Sequence, residues 1–220
     1  LVILVKRTNT IKADDYDVAI VVKDYGTITV HLEGDIAPIT VSNFIKLVNE
    51  HYYDNTTFHR IIDGFMIQGG IGKETDTIVG EFNMNNHSNS ILHERGVISM
   101  ARANDYNSAS SQFFIVQTTS PHLDGLYAAF GEVIDGMDVV DNISKIELQK
   151  ETATDEEGNE TTSETDSTKP VNAPVITKMT VETYGVNYGE PETENYFEFD
   201  DIFNMFLQNY MQGNTSLFGE

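Results

Sequence analysis

Arg60 stands inside an apolar run, Phe58-His59-Arg60-Ile61-Ile62, and a second run, Phe65-Met66-Ile67-Gln68-Gly69-Gly70, begins after two intervening residues. A guanidinium keeps its charge and presents its N–H donors in a rigid fork, so it suits either an ion pair or donation to an electron-rich atom. Taken alone, Arg60 reads as an ion-pair partner, and Phe65, Met66 and Phe114 read as core side chains. Other chemistries find less support. With no cysteine there is neither a thiolate nucleophile nor a disulfide framework. His31, His51, His87, His93 and His122 show no HxxxH or HExxH spacing, so no metal site is expected. Asp14, Asp15 and Asp17 lack the glycine and distant glutamate of a calcium loop and read as solvated charge. The sequon at Asn159-Glu160-Thr161 lies in an acidic stretch and carries little weight.

The segments that must position these residues are short. Residues 17–22 and 27–32 are rich in β-branched residues and flank Lys23-Asp24-Tyr25-Gly26, the pattern of a hairpin. Pro38 and Thr40 suit a helix entrance, and Val41, Phe44, Ile45 and Val48 then recur at helical spacing. Residues 58–62, 65–68, 96–100, 112–116 and 128–133 are short apolar runs separated by Gly, Asn, Asp or Ser. That punctuation predicts an antiparallel sheet or closed barrel rather than βαβ units. A second short helix is expected from Met137 to about Ser144, and strand character returns over residues 175–183.

The chain has 220 residues and a formal charge of −22, with a pI near 4.4. Nucleic acid and bare anionic membrane surfaces are therefore poor partners. Residues 150–220 carry 15 acidic and 3 basic side chains. Within them, residues 151–169 contain almost no apolar residue and are expected to form a mobile acidic loop inserted between a helix and the closing strand. Phe199, Ile202, Phe203, Phe206, Leu207 and Tyr210 form an apolar stripe with acidic residues crowding its start, which predicts a C-terminal amphipathic helix. The expected organisation is an N-terminal extension over 1–16, one domain over 17–184 and an acidic extension over 185–220. The apolar residues 1–5 are too few to span a bilayer and precede Lys6 and Arg7, the reverse of a signal peptide. A cytoplasmic monomer is the expectation, with an exported chain whose leader has been trimmed as the alternative.

Five segments, 58–62, 65–70, Ser99-Met100-Ala101-Arg102-Ala103, Ser111-Gln112-Phe113-Phe114-Ile115 and Leu123-Asp124-Gly125 followed by Phe130-Gly131, resemble the cyclophilin family in type, order and interval. The resemblance runs from about residue 17 to 183. It implies a mainly β fold, an eight-stranded antiparallel barrel capped by two helices with a peptide groove on its outer face. It also implies peptidyl-prolyl cis/trans isomerisation of proline-containing polypeptides without a cofactor.

Carried over position by position, Arg60 matches the family's catalytic arginine. Phe65, Met66, Phe114 and Leu123 match its proline pocket, and Gln68 and Gln112 its polar groove positions. Ala101, Arg102 and Ala103 match the segment whose backbone lines the groove. His59 matches the histidine before the arginine and stays off the catalytic list, since bond rotation needs no proton transfer. Three positions depart from the best-known members. His122 stands where many eukaryotic members carry Trp, so weak or no cyclosporin binding is expected. Tyr127 replaces a His and keeps an aromatic wall. Arg102 replaces an Asn and should alter substrate preference. The rival reading is a non-catalytic proline-peptide binding module or chaperone.

Overall fold

The computed structural model describes residues 15–154 and 160–185, together with residues 191, 193 and 194. The expected N-terminal extension, apart from its last two residues, and the C-terminal amphipathic helix lie outside the described residues. Strands β1 (Asp15–Val22) and β2 (Gly26–Glu33) form the expected hairpin, with Val18 opposite Val30 and Ile20 opposite Ile28, all fully buried. After them comes helix α1 (Pro38–Asn49), which buries the anticipated Val41, Phe44, Ile45 and Val48. The middle of the chain supplies β3 (Arg60–Ile62), β4 (Met66–Gly69), β5 (Thr77–Ile78), β6 (Val97–Met100), β7 (Phe113–Val116) and β8 (Ala129–Asp135). Helix α2 (Met137–Ser144), β9 (Leu148–Thr154), β10 (Glu160–Pro170), β11 (Ile176–Glu182) and the two-residue β12 (Thr193–Glu194) complete the described elements.

Eight of these strands make one antiparallel sheet in the order β11-β1-β2-β8-β6-β7-β4-β3. The sheet curls until its two ends meet. Thr57 and Val175 form an isolated bridge, Phe58 N–H donates to the Pro174 carbonyl at 3.0 Å, and Ile176 N–H donates to the Thr56 carbonyl at 2.8 Å. These contacts tie the segment before β3 to the segment before β11 and so cover part of the sheet's two edges.

Inside the curl, Phe44 of α1 packs on Tyr53, Phe113 and Phe130 with ring centroids 5.2–5.5 Å apart. The opposite face of the sheet carries a second, smaller apolar cluster of Met66, Val97, Phe114, Val116, Leu123 and Ala129. Strand pleating separates the two, because successive side chains point to opposite faces. In β7, Phe113 and Ile115 enter the core while Phe114 and Val116 join the outer cluster. In β3 and β4, Ile61 and Ile67 enter the core, leaving Arg60, Met66 and Gln68 on the outer side.

One segment differs from expectation. Residues 151–154 and 160–169 belong to β9 and β10, an antiparallel pair in which Thr152 faces Thr162 and Lys150 faces Asp166, with two register shifts. Lack of apolar side chains argued for a chain without regular structure. A two-stranded ladder, however, satisfies the backbone by itself, and the threonines that crowd this stretch favour extended conformations. The hairpin lies between α2 and β11, where an insertion was anticipated.

The N-terminus of α1 is capped from a distance. Ala37 at the N-cap has no side-chain acceptor. Instead, the buried Glu81 carboxylate accepts from Ile39 N–H at 3.1 Å, and from Thr40 N–H and Thr40 Oγ1–H at 2.7 Å each. It thereby satisfies donors that a helix leaves open and places a negative charge at the positive end of the helix dipole. Glu81→Ala should lower the unfolding free energy by about 2–3 kcal/mol in urea denaturation, because buried donors lose a charged partner. Glu50→Ala at the exposed far end should stay within about 0.5 kcal/mol.

Candidate active site

A concave pocket of about 450 Å³ opens on the outer face of the sheet, over the small apolar cluster. It is lined by Arg60 from β3, Met66 and Gln68 from β4, and Phe114 from β7. Phe65 joins them from the β3–β4 turn, Ala101 and Arg102 from the chain leaving β6, and His122, Leu123 and Tyr127 from the loop before β8. All the residues expected from sequence are there except Ala103 and Gln112. Gln112 joins the site through Gln68, and Ala103 is exposed beside it, its N–H donating to Ser108 Oγ at 2.9 Å.

The polar side of the pocket is a relay. Arg60 Nη1 donates to Gln68 Oε1 at 3.1 Å, and Gln68 Nε2 donates to Gln112 Oε1 at 3.0 Å. Register sets this up, since Arg60 and Gln68 are cross-strand partners and Gln68 also faces Phe114 across β7. Because the Gln68 carbonyl is fixed on Arg60, its amide points at Gln112, whose side chain also meets His59. At the end of β4, Gly70 has φ +84°, and a Cβ there would lie 2.6 Å from the Ser111 carbonyl oxygen. Only glycine lets β4 approach Gln112 so closely.

The apolar side is built of rings. His122 lies 5.3 Å from Phe65 with the rings tilted, and Tyr127 meets Phe114 edge-on at 5.9 Å. Phe114 is backed in turn by the His93 imidazole, stacked at 6.1 Å. His93 did not emerge as a site residue from sequence, since it is far from Phe114 in the chain and belongs to none of the recognisable segments. Its surroundings explain its importance. Asp124 Oδ1 accepts from both His93 N–H at 2.7 Å and Nδ1–H at 3.0 Å, so Nε2 is left to accept from Ser99 Oγ–H at 3.0 Å. The order Ser99–His93–Asp124 is that of a hydrolytic triad. Ser99 is fully buried, so no substrate carbonyl can reach its hydroxyl, and the three act as a prop beneath Phe114.

Burial pushes the His93 pKa down, against the opposing pull of the Asp124 hydrogen bond and charge. The same cause lowers the basicity of the half-buried His59. Both rings are therefore neutral at pH 7. Among the described residues, no group of three or more His, Cys, Asp or Glu side chains is arranged to hold a metal ion. No helix among them is long and apolar enough to cross a membrane.

A groove with an aromatic floor, lined by the Arg60 and Arg102 guanidiniums and the Gln68 amide, has the shape and the polar groups to hold a peptide. The known proteins agree. Residues 18–181 match the family described as cyclophilin type peptidyl-prolyl cis-trans isomerase/CLD, and the chain belongs to that family. Peptidyl-prolyl cis-trans isomerase B of Bacillus subtilis is 42% identical over 135 residues, which span 59% of this chain and 91% of that protein. Peptidyl-prolyl cis-trans isomerase-like 2 of Rhizopus delemar is 40% identical over 136 residues, 59% of this chain but only 25% of the relative's length. A cyclophilin type peptidyl-prolyl cis-trans isomerase from Cryptosporidium parvum, solved in the presence of the dipeptide Ala-Pro, is similar with a TM-score of 0.61 and 28% identity. That likeness covers 76% of this chain and 98% of that one.

The neutral His93 has a consequence for stability. Its folded pKa lies below the ordinary 6.5, so the unfolded chain binds more protons there and stability must fall as pH drops below about 6.5. Urea midpoints measured between pH 7.5 and pH 5 should decline, and the decline should be shallower in His93→Gln, which has no ring to protonate. Equal slopes in the two proteins would remove His93 as the cause.

Proposed function

We propose that this cyclophilin-type isomerase accelerates rotation of X-Pro bonds through Arg60, with the proline ring seated on Phe65, Met66, Phe114 and Leu123. The X-Pro amide rotates slowly because its resonance must be broken, at a barrier of about 18–20 kcal/mol. At the twisted geometry the prolyl nitrogen recovers a lone pair that the planar amide does not offer. A fixed N–H donor then stabilises the transition state more than either isomer. The observation that carries the assignment is the position of Arg60 on the pocket rim, held by a single hydrogen bond to Gln68 among the described residues. Its other donors are left for a ligand. Gln112 and the Ala101 to Ala103 backbone would hold the flanking peptide, and the Cryptosporidium relative's Ala-Pro supports a short X-Pro unit as ligand.

A charge-assisted hydrogen bond contributes roughly 1.5–3 kcal/mol, which is about one to two decades of rate. Arg60→Ala should therefore reduce turnover of an Ala-Pro peptide by about tenfold to a hundredfold, read by NMR exchange between its cis and trans signals. Pocket binding should persist in the same variant. A wild-type rate equal to that of Arg60→Ala would leave a protein that binds proline peptides without catalysis.

His122 offers less apolar surface than an indole and occupies the rim against Phe65. Weak cyclosporin binding follows. His122→Trp should tighten it, by about tenfold in an intrinsic-fluorescence titration, since an indole adds contact area and an N–H donor. Unchanged affinity would show that His122 does not limit the ligand.

A further inference from the structure

The Arg102 side chain, which lines the pocket, is engaged by rings and carbonyls of the protein itself, although this segment enters the proposed reaction through its backbone. Its Cζ lies 4.8 Å from the ring centroid of Tyr127, 5.0 Å from Tyr106 and 5.1 Å from Phe82. Its Nε and Nη2 both donate to the Leu126 carbonyl, at 3.0 and 2.8 Å, and Nη1 donates to the Ala103 carbonyl at 2.8 Å. One fork thus joins the chain leaving β6 to the loop that presents Leu123 and Tyr127.

Within that loop Leu126 N–H donates to the Leu123 carbonyl at 3.0 Å and Ala129 N–H to the Tyr127 carbonyl at 3.1 Å, and its ties to the rest of the protein lie mainly near its ends. Asp124 is tied to His93, Met84 N–H donates to the Gly125 carbonyl at 2.9 Å, and Met100 N–H donates to the Ala128 carbonyl at 3.0 Å. Between these ties, Leu126 and Tyr127 are gripped by Arg102. Tyr127 carries the constraint onward, because its ring meets Phe114 edge-on at the pocket floor.

We propose that Arg102 is a positioning residue, a clasp that fixes the Leu123 to Tyr127 wall against the Ala101 to Ala103 segment and so sets the width of the peptide groove. The inference rests on the proposed isomerase reading. A lysine cannot replace it, since one ammonium lacks the planar fork that spans two carbonyls while stacking on rings. Freeing the wall would require a peptide to reorder it on binding, a cost that weakens binding. Arg60 stands on β3, outside the clasp, so the rotation step itself is untouched and the loss falls on KM rather than kcat.

The test compares wild type, Arg102→Ala and Arg102→Lys in the full chain, by NMR exchange kinetics on an Ala-Pro peptide and by amide hydrogen exchange. Arg102→Ala should raise KM by about three- to tenfold with kcat within about twofold, and should speed exchange at Leu126 and Tyr127. Arg102→Lys should fall between it and wild type. KM within about twofold of wild type in both variants, or a fall in kcat at constant KM, overturns the clasp. If circular dichroism finds Arg102→Ala unfolded, the lysine variant decides by the same criteria. Should wild type show no turnover, the isomerase reading fails separately, and the clasp is judged by peptide Kd and exchange at Leu126 and Tyr127.

Discussion

Side chains alternate across a β-strand, and in β3, β4 and β7 that constraint makes core and site inseparable. Each pocket residue in these three strands has neighbours that anchor the fold: Arg60 precedes the buried Ile61, Met66 and Gln68 flank the buried Ile67, and Phe114 lies between the buried Phe113 and Ile115. A slip of one residue in any of these strands would exchange the two sets, driving a guanidinium into the aromatic core and exposing Ile61. Phe44 of α1, packed against Phe113 and Phe130, fixes the register from within. The geometry of the groove is thus set by the packing of a core on the other face of the sheet.

The buried Glu81 and His93 are both fully engaged, and each holds a boundary between elements. Glu81 ties the chain after β5 to the start of α1, and His93 ties the segment before β6 to Asp124 and Ser99. Such groups are costly to strand without partners, which makes them effective locks on relative position. The His93 lock bears on the pocket because its ring stacks against Phe114. The seating of the Phe114 ring at the pocket therefore depends on an imidazole that does not line the pocket.

Much of this was legible in the sequence, for reasons that differ by residue. The helical spacing of Val41, Phe44, Ile45 and Val48, and the β-branched runs around Gly26, are local signals, and the elements they predict are present. Most of the pocket-lining residues fall in contiguous segments that resemble a known family, so type and order carried them. His93, Ser99 and Glu81 were not legible as partners, because their meaning lies in contacts between separate segments that no local pattern encodes. Arg102 was noticed as a departure from the family, yet its three aromatic partners come from segments between 4 and 25 residues away. The acidic stretch failed in the opposite direction. Composition reports on whether side chains can be buried, and β9 with β10 needs only backbone pairing.

The two arginines of the groove illustrate how environment divides the work of one side-chain type. Arg102 is saturated, with two carbonyls in its fork and three rings around its guanidinium, so little of its donor capacity remains for a peptide. Arg60 has a single amide oxygen as partner among the described residues, and that oxygen is itself oriented by Gln112. A donor that must respond to a lone pair appearing only at the twisted geometry has to be fixed in place yet unsatisfied, so that its hydrogen bond forms without reorganisation. On the proposed reading, full engagement gives rigidity to the wall and partial engagement gives readiness at the rim, and the same guanidinium chemistry serves both because the strands place one arginine among rings and the other beside glutamine.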